Sequence, residues 1–486
     1  MKLANCLKLV LLGVAAGCHA QLLGQIDPNV KPSADQPKPV RIGEFHSFVA
    51  DNGMKVFLVR RADYPKFRLS IDANLPTVFD EQQPEVRDIL GGLMASGNRK
   101  YDAAEIKRVE KFYAATISVS PRTLVCAGMR EYADRLMPIA AAYYTAPRFD
   151  AGLLDSLVGA KVAALADKQE PRPKSRSDNF MGYLMDSLRF AREVDPKTPK
   201  EETAEGFRQV DLAAVKAYFN RYVNPRNASC MLIGDFTVDE ANRFINRYFK
   251  GWKKGPSSES KPFKKEYETR YPDARRIYVV DKPGAVQSRI VVSRPLGDAY
   301  PYGDNEPVLE IMNQVYGAGY MSNLNKNIRL DKGLSYGANN NLGLDVTGGS
   351  CSTIVMVQTA STAYALENIL FEMLRMRNEL PSEQDFEIAL NGKVGEYARS
   401  MSQLNSPAII GFGLLREQYG LSDDYLARYA DRLQSITRKD VRDAARKYIN
   451  PFKCYIYITG NAEALRGTLE QFGTVEYYDS LGNRLQ

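Results

Sequence analysis

Histidine is almost missing from this sequence: its 486 residues include only His19 and His46. Once the N-terminal segment holding His19 is set aside, one imidazole remains. That excludes a two-histidine metal centre, and no motif around His46 suggests a Ser-His-Asp or Cys-His set. His46, between Phe45 and Phe48, reads as structural. Cysteine is also sparse. Cys6 and Cys18 fall in the N-terminal segment, and Cys126, Cys230, Cys351 and Cys454 are scattered without C-x-x-C spacing. No disulfide framework is expected from them; buried free thiols are, with one bridge left open in an oxidising compartment. There is no G-x-x-x-x-G-K-[ST] phosphate loop and no dinucleotide fingerprint, so the glycines at Gly303, Gly317 and Gly319 are read as turn residues. Charge of one sign never accumulates either. The 65 basic and 58 acidic residues are mixed, for a net +7, which excludes the clustered basic face of a nucleic-acid binder.

What the chain does have is apolar and aromatic content: 44% hydrophobic residues, 28 Tyr and 20 Phe, enough to build large cores. The length predicts two or three domains. Residues 1–20 read as a signal peptide, with Lys2 and Lys8 ahead of an apolar stretch, Leu9 to Ala16, that is too short to span a bilayer. Cleavage after Ala20 and lipidation at Cys18 both remain open, and either places the chain in the periplasm or cell envelope. Residues 21–41, polar and Pro-rich, read as a flexible tether.

The sequence repeats. Val215-Lys216-Ala217-Tyr218 through Tyr222-Val223-Asn224-Pro225 recurs without a gap, 226 positions on, as Val441-Arg442-Asp443-Ala444 through Tyr448-Ile449-Asn450-Pro451. Each copy reads as a helix stopped by Asn-Pro and followed by a strand, Ala228 to Ile233 or Cys454 to Ile458. Further strands are expected at Met54–Val59, Phe67–Ala73, Arg276–Val280 and Ser288–Val292. Helices are expected at Tyr132–Tyr144, interrupted or kinked at Pro138, and at Ala363–Glu379. The polar stretch 251–271 separates the halves as a linker. Two duplicated α+β domains follow, 42–250 and 272–478.

Gly317-Ala318-Gly319-Tyr320-Met321-Ser322-Asn323-Leu324, with Ile328-Arg329-Leu330-Asp331-Lys332-Gly333-Leu334-Ser335-Tyr336-Gly337, resembles the "GGGMSSRL…LREKRGLSYSV" segment of the pitrilysin or M16 metallopeptidase family. The Asp51-Asn52-Gly53-Met54 turn, Pro147-Arg148-Phe149 and Asp281-Lys282-Pro283-Gly284 are in the family's order too. The resemblance implies two M16-like α/β sandwich domains forming half of a clamshell. Active members hold zinc on H-x-x-E-H, two histidines one helical turn apart with a glutamate that activates the bound water. At the matching positions this chain has Asp88, Gly91 and Gly92. The third ligand would fall near Ala160-Lys161, where there is no carboxylate; Asp167 and Glu170 nearby read as exposed helix-end acids. The two glycines lower helix propensity by roughly 1 kcal/mol each, so the helix is expected to fray there.

The resemblance further implies that Arg329 and Tyr336 act as donors to a substrate carbonyl. No cofactor is expected in this chain, with zinc carried by an H-x-x-E-H-bearing M16 partner. The split of labour is similar to that of mitochondrial processing peptidase. The expectation is therefore a pseudoenzyme on its own, the non-catalytic subunit of an exported heterodimeric zinc metalloprotease acting on short or unfolded peptides. The alternative is a peptide-binding or scaffold protein without chemistry.

Overall fold

The computed structural model describes residues 44–485 apart from 77–80, 168–179, 183, 186–187, 189–201, 257–270, 298, 345–348, 402, 404–408, 414–418 and 423. The signal segment with Cys18, the tether, most of the 251–271 linker, Glu170 and the side chain of Asp167 lie outside the described residues. Arg41–Gln486 form one compact unit.

That unit is built on two mixed sheets. The first contains β1 (Glu44–Val49), β2 (Lys55–Arg60), β3 (Lys66–Asp72), β4 (Thr116–Val119), β5 (Thr123–Met129) and β6 (Ser229–Gly234), in the order β1-β2-β6-β3-β5-β4. The second contains β7 (Arg276–Asp281), β8 (Gln287–Pro295), β9 (Ala338–Gly343), β10 (Ser350–Gln358), β11 (Tyr455–Gly460), β12 (Thr474–Tyr478) and β13 (Arg484–Leu485), in the order β13-β12-β7-β11-β8-β10-β9. The helices are α1 (Pro84–Ala95), α2 (Ala103–Tyr113), α3 (Ala133–Thr145), α4 (Ala151–Asp167), α5 (Leu212–Tyr222), α6 (Val238–Phe249), α7 (Glu306–Asn313), α8 (Thr362–Asn378), α9 (Glu383–Met401), α10 (Tyr425–Gln434) and α11 (Arg438–Tyr448).

The repeat extends to individual hydrogen bonds. The helices α5 and α11 have the same length and end 226 residues apart. Each begins with a side-chain cap: Asp211 accepts from the Ala214 N–H and Thr437 from the Asp440 N–H. After each helix an asparagine folds back, Asn224 accepting from the Arg226 N–H and Asn450 from the Phe452 N–H. The following strands, β6 and β11, are buried along all six residues. Each lies parallel to the first core strand of its half, β2 or β7, and antiparallel to the next, β3 or β8. The sheets diverge at one edge, where β1 flanks β2 but β12 and β13 flank β7.

A strand buried on both faces needs a cover on each. On the first sheet part of that cover comes from the second half. Phe412 packs edge-on against Phe45 with 5.4 Å between ring centroids, and Gly413 lies so close that a Cβ there would sit 1.7 Å from the Met231 methyl. The Arg61 guanidinium donates to the Met401 carbonyl at 3.2 Å, tying β2 to the end of α9. The second sheet receives the converse: Met181 and Leu184 are buried among Tyr278, Val291, Tyr455 and Tyr457. Met231 and Tyr457 are 226 positions apart, so equivalent sites on the two sheets are covered by segments of opposite halves.

Helix α3 runs through Pro138. Proline at this position cannot donate to the Asp134 carbonyl one turn earlier. The Tyr248 hydroxyl, which donates to the Asp134 carboxylate at 2.5 Å, lies 3.3 Å from that carbonyl oxygen. Cys126, Cys230, Cys351 and Cys454 are all buried and free. Burial pushes the Cys126 and Cys454 thiols up to about 12 and Cys351 to about 11, so none is a reactive thiolate.

Candidate functional site

Asp88, Gly91 and Gly92 lie on α1, which is helical through both glycines rather than frayed. The propensity penalty is overridden by packing, because Val86, Ile89, Leu90, Leu93 and Met94 are all buried on one side of the helix. At Gly92 a Cβ would come within 2.8 Å of the Leu157 side chain on α4, and at Gly91 within 3.4 Å of Pro121. The glycine thus lets α4 close onto α1, and Leu157 takes the space a side chain at 92 would need. Asp88 is engaged as well, its carboxylate 2.5 Å from the Lys161 ammonium. Lys161 stands where a third metal ligand was sought, and it brings a cation of its own.

These residues do not fit zinc. Two offer no donor atom, the third is neutralised by an ammonium, and among the described residues no three His, Cys, Asp or Glu side chains converge as a metal site. A cavity of about 350 Å³ remains beside Asp88 and Gly91, bordered by Arg87, Pro121 and Arg122. Both arginines are already paired, Arg87 with buried Glu81 at 3.6 Å and Arg122 with Asp72 at 3.1 Å.

A buried acidic pair next to this helix had no sequence signal. Glu81 accepts a 2.5 Å hydrogen bond from the Tyr218 hydroxyl on α5, and burial raises that phenol's pKa. Glu85 accepts from the Thr203 N–H at 3.1 Å. Both carboxylates hold chain segments together and neither faces the cavity lining.

Arg329 and Tyr336 are brought together. Helix α7 continues into wider turns over Gln314–Ala318, breaks at Gly319, and resumes to Asp331, with Asn325–Asp331 again in wide turns. The Ser322 hydroxyl caps the resumed helix, accepting from the Asn325 N–H at 3.5 Å. Gly317 is helical, which corrects its reading as a turn residue. A Cβ there would lie 2.5 Å from the Asn340 Cβ on β9 and 2.7 Å from Leu324, so its role is to let strand and helices approach. Gly333, at φ +59°, does make a turn. Tyr336 follows on a bend, two residues ahead of β9 rather than on the strand itself.

The guanidinium of Arg329 sits between two phenol rings, 4.9 Å from the centroid of Tyr320 and 4.8 Å from that of Tyr336. Tyr320 was not singled out in the sequence; its position just before Met321-Ser322, on the break between the helices, puts it there. Tyr336 is 90% exposed and Tyr320 61%. Among the described residues Arg329 has no carboxylate partner. The platform beneath is fixed by polar contacts. Asn325 accepts from the Ala338 N–H at 3.0 Å, Asn327 donates to buried Glu372 at 2.7 Å, Lys326 pairs with Asp385, and Ser335 donates to the Met356 carbonyl at 2.7 Å. Arg329 can therefore present N–H donors to a carbonyl with little reorganisation. The Arg-Tyr pair belongs to the second sheet's half, and Asp88, Gly91 and Gly92 to the first.

Residues 209–393 match the peptidase M16 inactive domain. No curated protein matches the chain. Among solved structures, a peptidase M16 inactive domain from Pseudomonas fluorescens is 18% identical, with a TM-score of 0.68, covering 86% of this chain and 98% of its own. A protease from Helicobacter pylori is 14% identical at 0.66, covering 86% and 99%. A conserved protein from Enterococcus faecalis is 15% identical at 0.64, covering 86% and 98%. At these identities the structural likeness speaks for the fold.

Proposed function

We propose that this chain, a peptidase M16 family member of the inactive type, is an exported non-catalytic subunit that completes the chamber of a zinc-bearing M16 partner and lends it Arg329 and Tyr336. The observation that carries the reading is the state of that pair. A guanidinium with no carboxylate partner among the described residues lies between Tyr320 and Tyr336, on a platform braced by Asn325, Asn327 and Ser335.

A surface for a partner supports the same reading. The exposed row of α8 carries Tyr364, Phe371 and Leu374, with Leu330, Leu380 and Ile388 also exposed on neighbouring segments. Where it is continuous with such neighbours, an apolar row on one helix face is the kind of surface a partner can cover. Zinc would come with the partner, and the substrates would be short or unfolded peptides.

The experiment is reconstitution. The purified chain is mixed with a co-exported M16 protein carrying H-x-x-E-H, and cleavage of a quenched fluorescent peptide is compared with that of each protein alone. Turnover in the mixture above that of the partner, lost with Arg329→Ala plus Tyr336→Phe, is the expected result. Turnover indifferent to both substitutions sinks the proposal.

A further inference from the structure

A cavity of about 950 Å³ opens on the second sheet, bounded by the β7–β8 turn, by β10, and by Met181 and Met185 reaching across from the first half. Its floor is a cross-strand row: Thr459 on β11 is paired in register with Arg289 on β8, and Arg289 with Met356 on β10. The row leads to the Arg-Tyr platform, because Ser335, next to Tyr336, donates to the Met356 carbonyl. Three methionines and exposed Val286 line the cavity. Unbranched thioether side chains adapt to apolar groups of varied shape.

One cation in this cavity, Arg289, is unmatched among the described residues. Arg289 is half-buried in its floor, and among the described residues it forms no ion pair and no side-chain hydrogen bond. Lys282 lies at the rim, and no described lining residue is acidic. A guanidinium withdrawn from water without a counter-charge is costly, and its planar fork suits a carboxylate. We infer that this cavity is a binding site for a peptide carboxylate flanked by a large apolar side chain, with Arg289 holding the carboxylate and Met181, Met185 and Met356 the apolar group. The inference rests on the proposed function for its choice of a peptide, and it adds a site for that peptide on the chain itself, beside the carbonyl donors.

The test is a binding measurement on the purified full chain without any partner, so that it does not depend on turnover. The probes are three fluorescein-labelled decapeptides of Ala and Leu: one ending in leucine with a free carboxylate, the same peptide as its C-terminal amide, and that amide with one internal Glu. Anisotropy should show a carboxylate-bearing peptide binding tighter than the plain amide by about tenfold or more, as a charge-assisted hydrogen bond implies. Preference for the first probe identifies a C-terminal carboxylate and preference for the third an acidic side chain. Arg289→Gln should abolish the preference, Arg289→Lys should restore part of it, and Met356→Ser should weaken all three probes, with thermal melts reporting on folding. Equal binding of all three probes, or an affinity untouched by Arg289→Gln, overturns the inference. If reconstituted turnover ignores Arg329 and Tyr336 while Arg289 still governs peptide affinity, the carbonyl-donor function has failed and the carboxylate site has not.

Discussion

Lys161 places its ammonium 2.5 Å from the Asp88 carboxylate, joining α4 to α1. With Leu157 filling the space over Gly92, packing as well as charge joins the two helices.

Restoring the motif should therefore fail. Asp88→His with Gly91→Glu and Gly92→His forces a Cβ to within 2.8 Å of Leu157 and strands Lys161. Overpacking of this kind costs about 1–3 kcal/mol, so the triple variant should melt lower and bind no stoichiometric zinc by elemental analysis. Lys161→Met alone should cost less than about 1 kcal/mol, since both partners are substantially exposed to water.

Tyr336→Phe and Arg329→Ala should separate function from stability. Tyr336 is nearly fully exposed, so its hydroxyl contributes little to folding, and the melt should shift by less than about 0.5 kcal/mol. In the reconstituted mixture kcat should fall about 10²-fold for the loss of one oxyanion donor. A parallel loss of stability and activity would instead mark the pair as structural.

Glu306 makes stability fall with rising pH. Burial lifts its carboxyl to about 7, against hydrogen bonds from the Tyr302 N–H at 2.7 Å and the Tyr425 hydroxyl at 3.2 Å. The unfolded chain loses this proton near 4.5 and the folded chain only near 7, so between those values the folded state holds the extra proton. Its contribution is complete below about 4.5 and is lost as pH climbs past 7, by up to about 3 kcal/mol. Glu306→Gln should flatten this limb of the stability profile in urea melts between pH 5 and 8; an unchanged slope would show that Glu306 is ionised throughout.

Phe412→Ala should destabilise the first sheet although it lies in the second half. The ring is buried against Phe45 and stacked near Tyr425, and its removal should cost about 3–5 kcal/mol. Hydrogen exchange should quicken in β1 and β2 as much as around α10. Exchange confined to the second half would refute the crossover packing.

The parts of this fold governed by local chemistry were legible. Asn-Pro after an apolar helix set the ends of α5 and α11, and short apolar runs placed β2, β3, β6, β7, β8 and β11 within three residues at their ends. In the sequence Arg329 and Tyr336 are paired only through the resemblance of the surrounding segment, 317–337, to the M16 family, since the seven-residue spacing by itself carries no such signal. What stayed hidden depends on distant pairs. Nothing around Lys161 points to Asp88, nothing around Phe412 points to Phe45, and Glu81 reaches Tyr218 across 137 positions. The glycines misled for a related reason: Gly91 and Gly92 read as helix breakers and Gly317 as a turn, yet Gly92 and Gly317 mark where a neighbouring element comes too close for a Cβ.

The exchange of covering segments also sets an order of events during synthesis. Met231 and Phe57 of the first sheet are in place once residue 234 has been made, but the residues that cover them, Phe412 and Gly413, are translated roughly 180 codons later. At about 5–20 residues per second the ribosome leaves that face open for roughly ten to forty seconds. A nascent first half therefore spends a long interval with apolar surface bare, so its yield in a cell should depend on holdase chaperones and on the pace of elongation through the second half.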